Sequence, residues 1–324
     1  MEARLSQLRR LRAVAAAALA EYPLPDGPLT FVTHGENTTY RLDGPAGKFL
    51  VRVHRPLRHG RDADPVTAIE SELAWLVALR AETSLTVPEP VFARDGAVTV
   101  TATAAGLTRV VSVLRWIDGR IMEDSARAVH FRRLGAAMAV LHQHADSWTP
   151  PADFTRIRWD HEAFFGNTMV YGNVSAAECW ELLPSALRDR FAAVGSRMSA
   201  VMAAESDSGL IHADLHMGNA VFRGTTVGLI DFDDSGFGPR IYDLAVALWE
   251  QRDEPESAQV REALLDGYRS VRPIDDTLLD DYIAVRQVAF DLWYTGTAQV
   301  NPAFAARLDV VHDWSSSMLG LLGY

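Results

Sequence analysis

The feature that most narrows the folds open to this chain is a pair of polar segments carried on short β-like runs inside an otherwise helical half. Residues 210–222 read LIHADLHMGNAVF, and residues 228–245 read GLIDFDDSGFGPRIYDLA. From about residue 127 the apolar positions fall at helical spacing, with Leu134, Met138 and Leu141 on one face, and the pattern stays largely helical to the C-terminus. The runs LIH, AVF and VGLID interrupt it between Gly209 and Asp231. Polar side chains at the ends of short strands, braced by helices, are a usual mount for catalytic groups.

His212, Asp214 and Asn219 have the spacing H-x-D-x-x-x-x-N, and Asp231 follows across a hairpin-length gap. Phosphoryl transfer asks little covalent help of a protein: a carboxylate to take the proton of the attacking hydroxyl, and ligands for the metal ions on the phosphates. Asp214 suits the first task. Asn219 and Asp231 suit the second, because Mg²⁺ takes one or two protein oxygens and completes its shell with phosphate and water. His212 belongs to the catalytic segment as a brace for its backbone. A zinc hydrolase built on His212, Asp214 and His216 is the competing reading of the same stretch, but it leaves Asn219 without a role.

The first half reads differently. Residues 29–34, 38–42 and 48–54 form three short β-patterned runs joined by the turns THGEN and DGPAG, the signature of an antiparallel meander. Residues 65–82 read as a helix, with Asp64 as its cap, Pro65 in its first turn and Ile69, Leu73, Leu76 and Leu79 as its apolar positions. Strand-like runs near 90–93 and 109–114 follow, and WIDGR at 116–120 marks a turn. Ahead of them, residues 3–21 read as an Ala-rich amphipathic helix with Leu5, Leu8, Leu11 and Val14 on one face. A chain of 324 residues outgrows a single core. Two lobes are expected, a β-patterned one over 1–115 and a helical one over 116–324.

Taken together, the segments 210–222 and 228–245 resemble the catalytic and metal-binding loops of the aminoglycoside phosphotransferase and choline kinase superfamily, which includes homoserine kinases, methylthioribose kinases and a bacterial stress-response protein kinase. GENTTYRL at 35–42 resembles the family's phosphate-covering hairpin, FLVRVHRP at 49–56 its third strand, LGAAMAVLHQH at 134–144 the helix before its catalytic segment, and LLDGYRSVRP at 264–273 a late helix. The likeness runs over most of the chain. It implies an α+β, protein-kinase-like two-lobed fold, with a small N-terminal antiparallel-sheet lobe and a larger, mainly helical C-terminal lobe, and it implies ATP and Mg²⁺ as cofactors. It also implies that 1–115 is the nucleotide-binding lobe and 116–324 the catalytic and substrate-binding lobe. By the same resemblance Asp214 is the catalytic base, Asn219 and Asp231 are the Mg²⁺ ligands, and Asp243 is a structural partner of the catalytic loop.

For the first lobe, the resemblance places Gly35 and Asn37 where backbone N–H groups approach the phosphates, and Leu114 to Trp116 where the main chain meets adenine. The family carries a lysine on its third strand, paired with a helix glutamate. Here the aligned residue is Arg52, and the planar guanidinium differs in reach and geometry from an ammonium. Lys48, the only lysine, lies four residues earlier, roughly 13 Å away at about 3.3 Å per residue, and reads as a solvated strand-end residue. Glu72 rather than Glu70 is the expected partner of Arg52, because it better matches the family's helix register; the two glutamates sit about 200° apart on a helix, so only one can face the strand.

The expected function is ATP-dependent transfer of the γ-phosphoryl group to a hydroxyl of a small molecule: an aminoglycoside, an amino alcohol, a homoserine-like compound or a sugar. A protein Ser/Thr kinase of the stress-response type stays open, as does a pseudokinase that binds nucleotide without efficient transfer, for which Arg52 is the best support. Asp233 and Asp234 read as solvated loop carboxylates that could also widen an acidic site. Trp148, Trp159, Trp180, Trp249, Trp293 and Tyr294 lie in the helical half, and spacing does not show whether any converge. With 31 basic and 42 acidic residues the formal charge is 31 − 42 = −11, which disfavours nucleic acid and anionic membranes as partners. No run approaches the roughly 20 apolar residues of a membrane span. The single cysteine, Cys179, excludes an intrachain disulfide and suits the cytoplasm. The stretch 13–20, AVAAAALA, also has the look of a secretion signal, but the helix reading accounts for it. Neither the acceptor nor the oligomeric state is legible in the sequence.

Overall fold

The computed structural model describes residues 2–56, 64–251 and 255–324. They form two compact units: the described residues before 120 together with 150–155, and the described residues from 120 onward without that segment. The architecture is bilobed α+β of the protein-kinase-like class, with a small N-terminal sheet lobe and a larger helical C-terminal lobe.

In the first unit α1 (Glu2–Leu19) precedes β1 (Leu29–His34), β2 (Thr38–Gly44) and β3 (Gly47–Val53); then come α2 (Pro65–Glu82), β4 (Thr99–Ala104) and β5 (Leu107–Arg115). The strands make one antiparallel sheet in the order β1-β2-β3-β5-β4. Leu11, Val14, Ala15 and Ala18 of α1 join Tyr40, Leu42, Phe49, Val51, Val53, Val111 and Val113 in one core. The small alanines let the helix lie close on the sheet, and the Tyr22 hydroxyl donates to the Val111 carbonyl at 3.1 Å just past its end. The buried stripe thus begins later than the sequence pattern suggests: Leu5 is 52% exposed, because the first turns extend past the sheet core. A second correction concerns residues 90–93, which make only an isolated bridge from Pro90 to Leu114. The strand is instead β4, whose sequence TVTATA alternates β-branched and small residues without a strong apolar face.

Asp64 caps α2 by accepting the N–H groups of Val66 and Thr67 at 3.1 and 3.4 Å. The helix stops at Thr83, whose N–H and hydroxyl both donate to the Leu79 carbonyl.

The second unit contains β6 (Arg120–Ile121), α3 (Ala128–Ser147), α4 (His161–Phe165), β7 (Val170–Tyr171), β8 (Val174–Ser175), α5 (Ala176–Leu182), α6 (Ser185–Ala204), β9 (Ser208–Ile211), β10 (Ala220–Arg223), β11 (Thr226–Leu229), β12 (Gly236–Pro239), α7 (Arg240–Trp249), α8 (Ser257–Arg269), α9 (Leu279–Ala298), α10 (Pro302–Ala305) and α11 (Leu308–Leu321). Its strands are short and pair as β11-β10-β6, β12-β9 and β7-β8. Cys179 on α5 is buried, and burial followed by the Glu178 charge pushes its thiol up to about 11, so it is a packing residue and a poor nucleophile. Among the described residues no helix is long and apolar enough to cross a membrane.

Helices α3 and α8 approach through reciprocal glycines. A Cβ on Gly135 would run into the Leu264 carbonyl, and one on Gly267 into the Arg132 carbonyl. In both places the obstacle is backbone, which cannot swing aside as a side-chain tip can. Gly267→Ala should therefore destabilise the protein by about 1–3 kcal/mol, the usual range for overpacking, despite the better helix propensity of alanine. Urea unfolding monitored by circular dichroism measures it; unchanged or raised stability would show that the two helices have slack.

Candidate active site

Strand β9 ends at Ile211, pinned edge to edge against β12 through Gly236, and the chain then turns through residues 212–219 before the β10–β11 hairpin begins. The Ile230 N–H donates to the Asn219 carbonyl at 3.0 Å, which closes the base of that hairpin and sets Asp231 next in line beyond it. His212 makes both of its ring hydrogen bonds to backbone. Nε2 lies 2.9 Å from the Ile230 carbonyl and must donate, which leaves Nδ1 as the acceptor for the Asp214 N–H at 3.3 Å. The ring therefore ties the two loops together.

The Asn219 amide donates to the Asp214 carbonyl at 2.8 Å and to Asp214 Oδ2 at 3.0 Å. With its N–H₂ group so used, its oxygen is the atom left to meet a cation. Asp231 is exposed and adopts φ 64°, ψ 63°. Ala213, directly before Asp214, has φ 67°. Left-handed geometry costs a residue with a Cβ about 1–2 kcal/mol, and such strain gathers where the surroundings impose a functional geometry. One amide oxygen and one exposed carboxylate are hard donors of the kind Mg²⁺ takes, so Asn219 and Asp231 fit that ion.

Asp243, on α7, is fully buried. It accepts the His212 N–H at 2.9 Å, the Ala213 N–H at 2.6 Å and His142 Nε2–H at 3.0 Å. Burial penalises its charge, yet the His142 hydrogen bond and the neighbouring imidazoles and N–H groups hold it below the usual carboxylate range. Burial likewise lowers the proton affinity of His142, outweighing what the Asp243 hydrogen bond returns. A neutral imidazole results, donating to Asp243 and accepting at Nδ1 from the Tyr268 hydroxyl at 2.8 Å.

Arg286 on α9 was not singled out by the sequence. Its Nη2 donates to Asp214 Oδ1 at 2.6 Å, and its guanidinium lies 5.1 Å from the centroid of the Trp249 ring. Burial disfavours its charge, but Asp214 and then Tyr242 more than offset that and raise its proton affinity. Asp214 is thus gripped at both oxygens, by Asn219 and Arg286. No motif could have announced this contact, because the partner sits 72 residues downstream on a separate helix.

On the first unit, Arg52 Nη2 donates to Glu72 Oε1 at 2.6 Å, and both side chains are buried. Glu70 points outward and accepts from the Thr99 hydroxyl at 3.0 Å. Lys48 is exposed and pairs with Asp118 at 2.8 Å. Asn37 accepts the Arg55 N–H at 3.1 Å, and Gly35 donates to the Asn37 carbonyl at 3.1 Å; Gly35 has open space where a Cβ would stand. Leu114 is buried in β5, and the Trp116 N–H donates to the Lys48 carbonyl at 3.0 Å, so this N–H is already engaged.

The aromatic residues divide. Trp249, Trp293 and Tyr294 gather with Phe290, Phe304 and Trp314, in ring contacts of 4.7–6.3 Å between centroids. Trp148 stacks on His144, Trp159 on Phe164, and Trp180 meets Phe191 edge-on.

Residues 7–278 match the model of the phosphotransferase enzyme family APH. The chain belongs to that family. It is 29% identical over 268 residues to a homoserine kinase of Rhodopseudomonas palustris (strain TIE-1), a match covering 81% of this chain and 73% of that kinase. Among solved structures, it is 28% identical to the microcompartment-associated aminopropanol kinase, with TM-score 0.76 and 95% of each chain covered. It shares its fold with an amicoumacin kinase solved with AMP-PNP and Ca²⁺, at TM-score 0.70 and 20% identity over 90% of this chain and 89% of that one. In broad terms the protein is an ATP-dependent phosphotransferase for a hydroxyl of a small molecule.

The buried His142–Asp243 pair gives a pH dependence with a definite sign. The folded state lowers the proton affinity of His142 below its ordinary 6.5, so the unfolded chain takes up that proton first as pH falls. Stability should drop as pH falls below about 6.5, with Asp243 adding to the loss only near and below pH 4. Urea unfolding at pH 7.5 and 5.5 should show the drop, and His142→Gln should make it shallower. An equal pH slope in the variant would remove His142 from the account.

Proposed function

We propose that this protein transfers the γ-phosphoryl group of ATP to the hydroxyl of a short, amine-bearing alcohol, either an amino alcohol or a hydroxy amino acid of the homoserine type. The observation that carries the reading is Asp214 itself: its carboxylate is fixed at one oxygen by Asn219 and at the other by Arg286, and its loop is held by Asp243. A carboxylate so oriented is suited to receive the acceptor's hydroxyl proton. The acceptor class is supported by the likeness to a homoserine kinase and an aminopropanol kinase, and by the acidic balance of the chain.

In this reading the acceptor oxygen attacks the γ-phosphorus, the bond from that phosphorus to the β–γ bridging oxygen breaks, the hydroxyl proton passes to Asp214, and ADP leaves. Asn219 and Asp231 hold Mg²⁺, which supplies charge neutralisation on the phosphates. Arg52, oriented by Glu72, supplies the cation for the α and β phosphates, and Gly35 and Asn37 belong to the hairpin that covers them. Arg286 positions Asp214, and His212 keeps the loop in register. The arginine at position 52 also keeps the pseudokinase reading in play, since its geometry differs from that of the family's lysine.

Asp214→Asn should lower kcat by about 10²- to 10⁴-fold, the range for a general base, while Mg²⁺-ATP still raises the melting temperature. Arg52→Ala should mainly raise the KM for ATP. ADP release across a panel of amino alcohols, hydroxy amino acids, sugars and aminoglycosides measures both turnover and acceptor class. Turnover confined to acceptors without an amine would overturn the class. Nucleotide binding with no turnover on any acceptor, protein substrates included, would favour the pseudokinase.

A further inference from the structure

Glu123, His216 and Glu250 meet on the second unit, with one ligand atom of each within 4.8 Å of the others. Glu123 comes from a short turn after β6, His216 from the loop that carries Asp214, and Glu250 from the residue that ends α7. Among the described residues neither glutamate has an arginine or lysine partner; the ion-pair contact of Glu250 is His216 alone, at 3.8 Å. The two carboxylates therefore crowd together with no direct ion pair to arginine or lysine among the described residues, an arrangement that costs energy. Burial pushes Glu250 up, the charges of Glu123 and Asp214 adding to it and those of His216 and Arg286 opposing it.

The tautomer of His216 points the same way. The Gly218 N–H donates a long 3.3 Å hydrogen bond to Nδ1, so Nε2 carries the proton, and a metal ion at the Nδ1 lone pair would displace that weak bond. Nδ1 lies 3.8 Å from Glu250 Oε2, while Nε2 is directed toward Asp214 Oδ2, also at 3.8 Å. A metal-bound imidazole commonly presents its opposite N–H to a carboxylate in just this sense. Glycine at 218 keeps the space open: a Cβ there would stand 2.6 Å from the His216 ring and 3.2 Å from Glu123 Oε1. Both glutamates also line a groove of about 1000 Å³ walled by Arg127, Glu256, Gln259 and Val260, which offers an ion a way in and room for water ligands. Bonds of about 2.1 Å in a tetrahedral shell put ligand atoms about 3.4 Å apart, so the present spacing needs a contraction of a few tenths of an ångström to about 1.4 Å.

We propose that Glu123, His216 and Glu250 form a second cation site, separate from Asn219 and Asp231, that takes a first-row divalent ion such as Zn²⁺ or Mn²⁺. Two carboxylate oxygens and one imidazole nitrogen favour such an ion over Mg²⁺ or Ca²⁺, which avoid nitrogen. Occupancy fixes His216 with its N–H toward Asp214 and so couples the site to the catalytic loop.

Calorimetric titration of the nucleotide-free full chain with Zn²⁺ alone tests this, with Mn²⁺ paramagnetic resonance as an independent readout. One tight equivalent is expected, lost by tenfold or more in Glu123→Gln and in Glu250→Gln, and retained in Asp231→Asn. Glu123 is exposed, so its glutamine variant should melt like the parent without metal, which keeps the test open if Glu250→Gln folds poorly. No tight binding, equal binding in the two glutamine variants, or loss in Asp231→Asn would overturn the proposal. Neither nucleotide nor turnover enters the measurement, so failure of the phosphotransfer reading would leave it standing.

Discussion

Asp243 carries a negative charge in a place with no access to water, and the loop that bears Asp214 is built around satisfying it. Two successive backbone N–H groups, from His212 and Ala213, and the imidazole of His142 converge on one carboxylate. Leaving such a charge without partners would cost several kcal/mol, so the loop cannot leave without exposing that cost. The anchor reaches α3 through His142 and α8 through Tyr268, the same two helices that close on each other at Gly135 and Gly267. Close helix packing and loop geometry are thus one mechanical system.

What that system holds is a strained backbone. Ala213 and Asp231 both occupy left-handed geometry that a residue with a Cβ avoids; the first directly precedes Asp214, and the second is itself the other candidate carboxylate. Asp243 fixes the first, and the His212 ring, bonded to Ile230, ties it to the second. Asp214 then projects into a setting where Asn219 and Arg286 each take one of its oxygens. Arg286 in turn rests on Trp249, which opens the aromatic group of Phe290, Trp293, Tyr294, Phe304 and Trp314. A guanidinium sandwiched between a carboxylate and an indole loses little rotamer freedom in serving both.

The short strands were legible because turn chemistry and β-branched runs are local signals. The meander of β1 to β3 and the runs of β9, β10 and β11 follow from them directly. Strand β4 was not legible, since TVTATA has no apolar face to mark it, and Pro90 to Ala93 drew attention by apolar content that serves a single bridge. Leu5 illustrates the converse: helical spacing marks a face, but how much of that face is covered depends on where the sheet ends.

The sequence by itself determined the identity and order of the groups in the candidate loop, because H-x-D-x-x-x-x-N spans eight residues and the later aspartates follow it in one short stretch of chain. It also favoured Glu72 over Glu70 as the neighbour of Arg52, through the family's helix register, the angle between the two glutamates saying only that one of them can face the strand. Only the tertiary structure decided what each group touches: Arg286 on Asp214, His142 and Tyr268 behind Asp243, Glu123 and Glu250 beside His216, and three of six scattered aromatics drawn into one group. Apart from the neighbours Trp293 and Tyr294 on α9, those contacts join residues dozens of positions apart on different elements. They are set by how helix faces pack, and no local periodicity encodes that.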